Sequence, residues 1–459
     1  MSETSAPPAP EDAFSADDES AAAPTSVRHI VLAVTTLASF LLYLDRVCIS
    51  EVLKTDAARE ALGLSDNQIG WTLSAFFWSY ALGQVPSGWI SDRFGARLML
   101  TIYILSWSLF TAMTGWATGF AMLFVLRLSV GVAQAGAYPT SGAILGRWIP
   151  LLHRGMASSV VAFGGRVGGA LAPYLTSLLI AACGGWRAVM LAYGAVGVVV
   201  AGAFAHFFRN RPDQHPHCNR AEQALISMGR PPAAASDGSH GADAGTPLVA
   251  RRVVSSVSMW LMCVSQFTTN IGWVFLITWL TRYLKDEKHV SDQLGGAMAT
   301  VVLSVGMAGM LLGGRITDWA SRRWGIRWGR IVPLVASRFV AAAAFCLLPA
   351  LDSPWAATAM FALVAFATDL GVAGTWAYMQ DVGGKYVGAI LGWGNMWGNL
   401  GAAVSPPLLR WLSLKHGSDL TESWNWNIAF GVCAASFVIS GLTALGIDAT
   451  ERIAPDDHA

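Results

Sequence analysis

Stretches of about 20 residues, each broken by no more than a few charges, recur along the chain with short polar segments between them. Each is long enough to cross a hydrocarbon core of roughly 30 Å as a helix. The pattern predicts twelve helices, near residues 29–51, 67–90, 97–116, 119–148, 154–183, 186–208, 253–283, 292–319, 329–349, 355–380, 385–411 and 425–447. Between the sixth and seventh, residues 209–252 (RNRPDQHPHCNR onward) turn to proline, glycine, serine, histidine and charge. Such a segment is a linker, so the helices divide into six and six. The expected fold is an all-α polytopic membrane protein, twelve transmembrane helices in two six-helix bundles (29–208 and 253–447). Short tails, 1–28 and 448–459, flank the bundles. The first tail is acidic, rich in Ala, Pro and Ser, and lacks the basic start of a signal peptide, so a disordered cytoplasmic segment is expected.

Composition agrees with this reading. Hydrophobic residues make up 54% of the 459-residue chain and charged residues 13%, against about 25% charged in an ordinary soluble domain. The formal net charge of +1 says little; the placement of positive residues says more. With both termini in the cytoplasm, roughly 18 Lys and Arg fall on the cytoplasmic side, about 8 outside and about 4 within spans, the bias expected of an inserted protein. Five of the six cysteines fall in spans and Cys218 in the linker, so no disulfide framework is expected. The linker cluster His215, His217 and Cys218 reads as a solvated loop, because nothing nearby completes a tetrahedral metal site. The histidines lie in loops, tails or span ends, and no phosphate loop, zinc-protease helix or nucleophile elbow is present. Neither an enzyme, a cofactor, a metal nor a nucleic-acid partner is expected, and a monomer is anticipated.

The two halves carry a repeat. GWISDRFGAR follows the second predicted helix and GGRITDWASRRWGIR the eighth; each places a glycine four residues before an aspartate (Gly88 with Asp92, Gly314 with Asp318) and then arginine in a tight loop. Glycine permits close helix approach, and the aspartate can cap or pair at a helix end. Recurrence at equivalent places in two halves points to duplication and to halves that rock about a central site. The first copy (Gly88, Asp92, Arg93, Gly95, Arg97) matches the signature loop of the major facilitator superfamily throughout, so the chain resembles that superfamily. More narrowly it resembles the anion:cation symporters, which include bacterial hexuronate and galactonate permeases, sialin and the vesicular glutamate transporters. YLDRVCIS, RLSVGVAQAGAYPTSGAILGRWIP, LITWLTRYL and GNMWGNLGAAVSPPL carry that likeness. The resemblance implies proton-coupled uptake of an organic anion, a hexuronate or aldonate first, in a bacterial inner membrane. The loop residues, with Gly314, Asp318 and Arg322 in the second copy, are the expected conformational gate.

Charges inside spans are costly and kept mainly where they pair or work. Arg46 and Arg127 are candidate grips on a carboxylate, because a guanidinium donates two parallel hydrogen bonds; each also admits a structural ion pair, Arg46 with Asp45 for instance. Asp45 is a candidate proton carrier. Gln134 departs from the resembling pattern, which has Glu seven residues after the arginine at 127; glutamine hydrogen-bonds but does not titrate. Asp369 is the candidate replacement, with a structural pair to Arg338 as the other reading. Arg166, among Gly164, Gly165, Gly168 and Gly169, is a further candidate cation. Tyr43, Asn395 and Asn399 are candidate substrate contacts, as are Gln266 with Asn270 and, for stacking on a sugar ring, Trp393 with Trp397. An organic-phosphate or carboxylate exchanger or facilitator without proton coupling, and a non-transporting sensor, remain open as alternatives.

Overall fold

The computed structural model describes residues 23–228, 246–416 and 422–453. The outer parts of both expected tails and the middle of the expected linker lie outside the described residues. The twelve-span all-helical fold is present. The first half contains Val27–Val52, Asp66–Phe94, Ala96–Thr114, Phe120–Trp148, Arg154–Cys183 and Trp186–Phe207. The second contains Val257–Thr278 with its continuation Leu280–Asp286, Asp292–Leu347 (spans eight and nine), Pro354–Val382, Val387–Ser413 and Trp426–Leu445. A two-stranded antiparallel hairpin, Leu414–His416 with Glu422–Trp424, joins spans eleven and twelve.

The glycine-bearing loops turn as the repeat suggests. Gly95 and Gly325 have φ of 89° and 80°, a region L-residues with a Cβ rarely occupy. A Cβ on Gly329 would lie 2.2 Å from Ser321 Cα, so the chain folds back on itself across Gly325. Two spans drawn as continuous in sequence are interrupted: span four at Gly136, between Phe120–Ala135 and Ala137–Trp148, and span ten at Gly371, between Pro354–Leu370 and Val372–Val382.

Packing follows the duplication. Span one lies on five, two on four and three on six; seven lies on eleven, and the eight–nine pair on ten and twelve. Between the halves, two packs on eleven and five on eight, contacts that interchange when the halves are swapped. Spans two and eleven do not reach the apolarity of the other spans, and they meet each other: a Cβ on Gly388 would lie 2.7 Å from Gly88 O and one on Gly392 2.5 Å from Gln84 O. Small and polar residues there serve a helix interface.

Both described termini reach the same end of the molecule. The linker is tied there to the first helix by Glu222, which is wholly buried. Its carboxylate accepts from the Val27 and Arg28 amides (3.2 and 3.0 Å), from Arg28 Nη1 (3.1 Å) and from the Thr25 hydroxyl. An acidic group on free amides caps a helix N-terminus. Glu222→Ala is expected to cost about 2 kcal/mol, read as a lowered melting temperature in detergent, with Glu222→Gln retaining part of it.

Candidate functional site

The halves are clamped at the terminus-bearing end by carboxylates aimed at helix starts. Asp92 Oδ1 and Oδ2 accept from the Gly388 and Ala389 amides (3.0 and 2.8 Å). Asp318 accepts from the Gly155 and Met156 amides, both 2.9 Å. Thus the aspartate ending span two caps span eleven, and the one ending span eight caps span five, each across the interface between halves. Asp318 also receives Arg330 Nη1 (3.2 Å). Arg330 Nε and Arg154 Nη1 both donate to Asp381 (3.0 and 2.7 Å), and Arg330 Nη2 reaches Leu151 O (2.7 Å). Gln380 Nε2 donates to Ser158 Oγ (3.0 Å). Asp92 and Asp318 were legible in the repeat. Arg154, Arg330 and Asp381 show in the sequence only as charges near span ends, Arg154 six residues past Trp148 and Asp381 at the end of span ten.

The remaining gate candidates stand nearby. Arg97 donates through Nε and Nη2 to Ala205 O (2.9 and 2.6 Å), capping the last turn of span six, and its amide donates to Asn210 Oδ1 (2.8 Å). Arg93 lies over the Trp89 and Phe94 rings, and Arg322 is exposed, within electrostatic reach of His153 of the other half.

At mid-depth between the halves is a cavity of about 220 Å³, smaller than drug-sized pockets of roughly 300–1,000 Å³ and suited to one small molecule. The first half contributes Tyr43 and Arg46 from span one, Tyr80 from span two, Tyr138 from span four and Arg166 from span five. The second contributes Gln266, Thr269, Asn270 and Trp273 from span seven, Arg338 from span nine, Thr368, Asp369 and Trp376 from span ten, and Asn395 and Asn399 from span eleven. Three arginines face one aspartate on this wall.

Tyr43 and Arg46 share the wall because residues three apart share a helix face. The Arg46 guanidinium lies over Tyr43, Phe76 and Tyr80, 4.6, 4.9 and 4.3 Å from the ring centroids. Its Nε donates to Gln134 Oε1 (3.3 Å), and Gln134 Nε2 donates to Leu42 O (3.1 Å), which fixes the amide with its oxygen toward the cation. Nη2 is buried and has no partner. Gln134 therefore stands behind Arg46 without cancelling its charge.

Asp45, one position along the helix, turns about 100° away. It is 1% exposed and absent from the cavity wall. The Trp107 indole lies beside it, with no hydrogen bond of good geometry to either oxygen. The Asp45–Arg46 ion pair weighed from sequence does not form. Arg127 is also buried off the wall, its guanidinium 4.8 Å from the Phe76 centroid.

Asp369 corrects a second pairing. Its partner is Arg166, across the halves, with Nη2 donating to Oδ1 at 2.9 Å, whereas Arg338 Nη1 donates to Thr368 O (3.1 Å) and its Nε is buried without a partner. Asp369 lies two residues before Gly371 and lines the cavity. Arg166 lies against the Trp273 ring, 4.2 Å from its centroid, a cation–π contact.

Among the amides, Asn399 Nδ2 donates to Asn395 O and Asn270 Nδ2 to Gln266 O, both 2.8 Å, leaving the amide oxygens of both side chains as acceptors at the wall. Trp393 and Trp397 instead cluster with Trp260, 5.4 to 6.2 Å apart and off the wall; the tryptophans that face the cavity are Trp273 and Trp376. Tyr138 and Trp376, just past the two helix breaks, meet edge to face at 5.0 Å on its clamped side.

Comparison with known proteins agrees with this architecture. Residues 35–406 match the family model of the Major Facilitator Superfamily. The chain is 31% identical to a probable sulfoacetate transporter of Cupriavidus necator, covering 94% of this chain and 96% of that one. It is 28% identical to a probable galactarate/D-glucarate transporter of Bacillus subtilis, with 92% of each covered. To a D-galactonate transporter of Escherichia coli it is 27% identical, with 86% and 92% covered. Among solved structures, the proton:xylose symporter XylE superposes with a TM-score of 0.66 at 16% identity, over 92% of this chain and 94% of that one.

Proposed function

Since the chain belongs to the Major Facilitator Superfamily, and is a multi-pass membrane transporter and not an enzyme, we propose that it takes up a small organic anion, a sugar acid such as a hexuronate or aldonate, together with protons. The observation that carries this reading is the wall between the halves, where three arginines oppose one aspartate. An excess of buried positive charge calls for an anion. The names of the relatives, transporters of galactarate, glucarate, galactonate and sulfoacetate, favour the same class.

In this reading the protein sits in a bacterial inner membrane as a monomer with both termini in the cytoplasm. The clamped end is then cytoplasmic, and this conformation is the one that receives substrate from outside. Arg46 grips a carboxylate, Tyr43, Asn395 and Asn399 meet hydroxyls, and Gly88, Asp92, Gly314 and Asp318 close the exit. Arg127 and Gln134 support Arg46 from behind the wall. Asp369 is the titratable group facing the cavity: protonation cancels its charge and frees Arg166. Asp45, off the wall, is a second acid. Exchange without proton coupling is the second reading, favoured by the neutral Gln134 at the side of Arg46.

Proteoliposome uptake of labelled galactarate, galactonate and glucuronate, with an imposed pH gradient present or collapsed, tests both. Accumulation driven by an acidic exterior and lost in Asp369→Asn is expected. Uptake that ignores the gradient and only equilibrates would establish a facilitator, and uptake that needs substrate loaded inside would establish an exchanger.

A further inference from the structure

The cavity's positive excess is divided between two clusters, Arg46 with its aromatic cage and Arg166 with Arg338 around Asp369. Arg46 is surrounded by first-half groups, Tyr43, Phe76, Tyr80 and the neutral Gln134. Among the described residues no carboxylate lines the cavity beside it, Asp369 being the one acid on the wall, and its Nη2 is buried without a partner. The other side holds two cations around one acid. Asp369 is bonded through Oδ1 to Arg166 and lies within electrostatic reach of Arg338. Arg338 is 2% exposed, and its Nε donates to nothing, as Asp369 Oδ2 accepts from nothing. Each side therefore has one positive charge in excess and a buried donor in want of an acceptor. Buried donors without partners cost free energy that a fitting ligand recovers.

We propose that the substrate is an organic dianion with an acid group at each end, one held by Arg46 and the other by Arg166 and Arg338 around Asp369. This rests on the organic-anion reading and narrows it to doubly charged acids, in place of the singly charged hexuronates and aldonates. Two charges on the ligand neutralise the wall with Asp369 ionised. Because Arg46 belongs to the first half and Arg338, with its neighbours Thr368 and Gly371, to the second, such a molecule ties the halves together. A monoanion satisfies one side and leaves the other with its charge and its empty donor. Asp369 then acts as a resident carboxylate that keeps Arg166 from collecting a second stray anion.

Matched pairs decide the point, because they differ only in one terminal group. Galactarate and galactonate share a six-carbon skeleton and differ by a carboxylate against a hydroxymethyl group; sulfoacetate and isethionate differ in the same way on two carbons. Binding to the purified full-length protein in detergent, followed by calorimetry, is expected to favour the dianion of a pair by about tenfold or more, the worth of one charge-assisted hydrogen bond. In Arg338→Gln the ratio should fall toward one, and Arg338→Lys should restore part of it. A wild-type ratio near one, or a preference for the monoanion, overturns the dianion assignment while leaving the organic-anion reading in place. A dianion preference unchanged in a folded Arg338→Gln overturns the placement of the second acid group. Failure of all four compounds to bind overturns the organic-anion reading itself, and the second subsite with it.

Discussion

Arg46→Gln is expected to reduce uptake, as kcat/KM, by about a hundredfold or more while the protein still inserts and melts near the wild-type temperature. The guanidinium faces the cavity from within a cage of three aromatic rings, and the side chains it meets there, Gln134 and the tyrosines, are neutral. A substrate carboxylate that loses this partner loses a charge-assisted bond in a poorly hydrated place, about 3 kcal/mol, or roughly a hundredfold. Arg46→Lys should recover only part, because an ammonium keeps the charge and lacks the planar fork. Stability should change little, since no carboxylate is orphaned by the substitution. Uptake at the wild-type rate in Arg46→Gln would place the arginine among structural cations and leave the anion grip to Arg166 and Arg338.

The second large effect concerns closure. A Cβ on Gly88 would lie 2.2 Å from Gly388 O and 2.6 Å from Gly388 C. Backbone atoms on the facing helix cannot swing aside as a side chain can, so Gly88→Val must part spans two and eleven. Overpacking of this kind costs about 3 kcal/mol, which moves a two-state equilibrium roughly a hundredfold toward the state with the clamp open. Transport should fall accordingly, because a carrier that cannot close one end cannot complete its cycle. The direction is checked by thiol labelling of Ser158→Cys in a cysteine-free background. Ser158 is buried in the clamp beside Gln380, so labelling should be slow with glycine at 88 and fast with valine. Equally slow labelling in both would mean that the helices absorb the extra volume and the gate is elsewhere.

How much of this was legible in the sequence depended on the range of the interaction. The twelve spans follow from runs of apolar residues, and the clamp aspartates from a local glycine spacing repeated in both halves. Contacts that join distant positions left no local mark: Arg154 meets Asp381 across 227 residues and Arg166 meets Asp369 across 203. Adjacency misled in span one, because neighbours on a helix point about 100° apart, so Asp45 and Arg46 serve different surroundings. Hydropathy also does not distinguish a tryptophan facing a cavity from one packed in a cluster, so Trp393 and Trp397 were weighed where Trp273 and Trp376 stand. Arg338 was legible as an intramembrane charge, but the side of its helix facing the cavity was not.

Spans four and ten are each broken at a glycine near mid-length, and at equivalent places in the two halves. Gly136 and Gly371 keep helical φ and ψ, so each is a loosened turn at which a span bends for less work than it takes to tilt as a whole. The segments beyond the joints carry Tyr138 and Trp376, which touch each other on the clamped side of the cavity. Passage past that ring pair requires these tips to part as the clamp opens, and amide hydrogens around residues 136 and 371 should exchange with deuterium faster than those one turn away on either side.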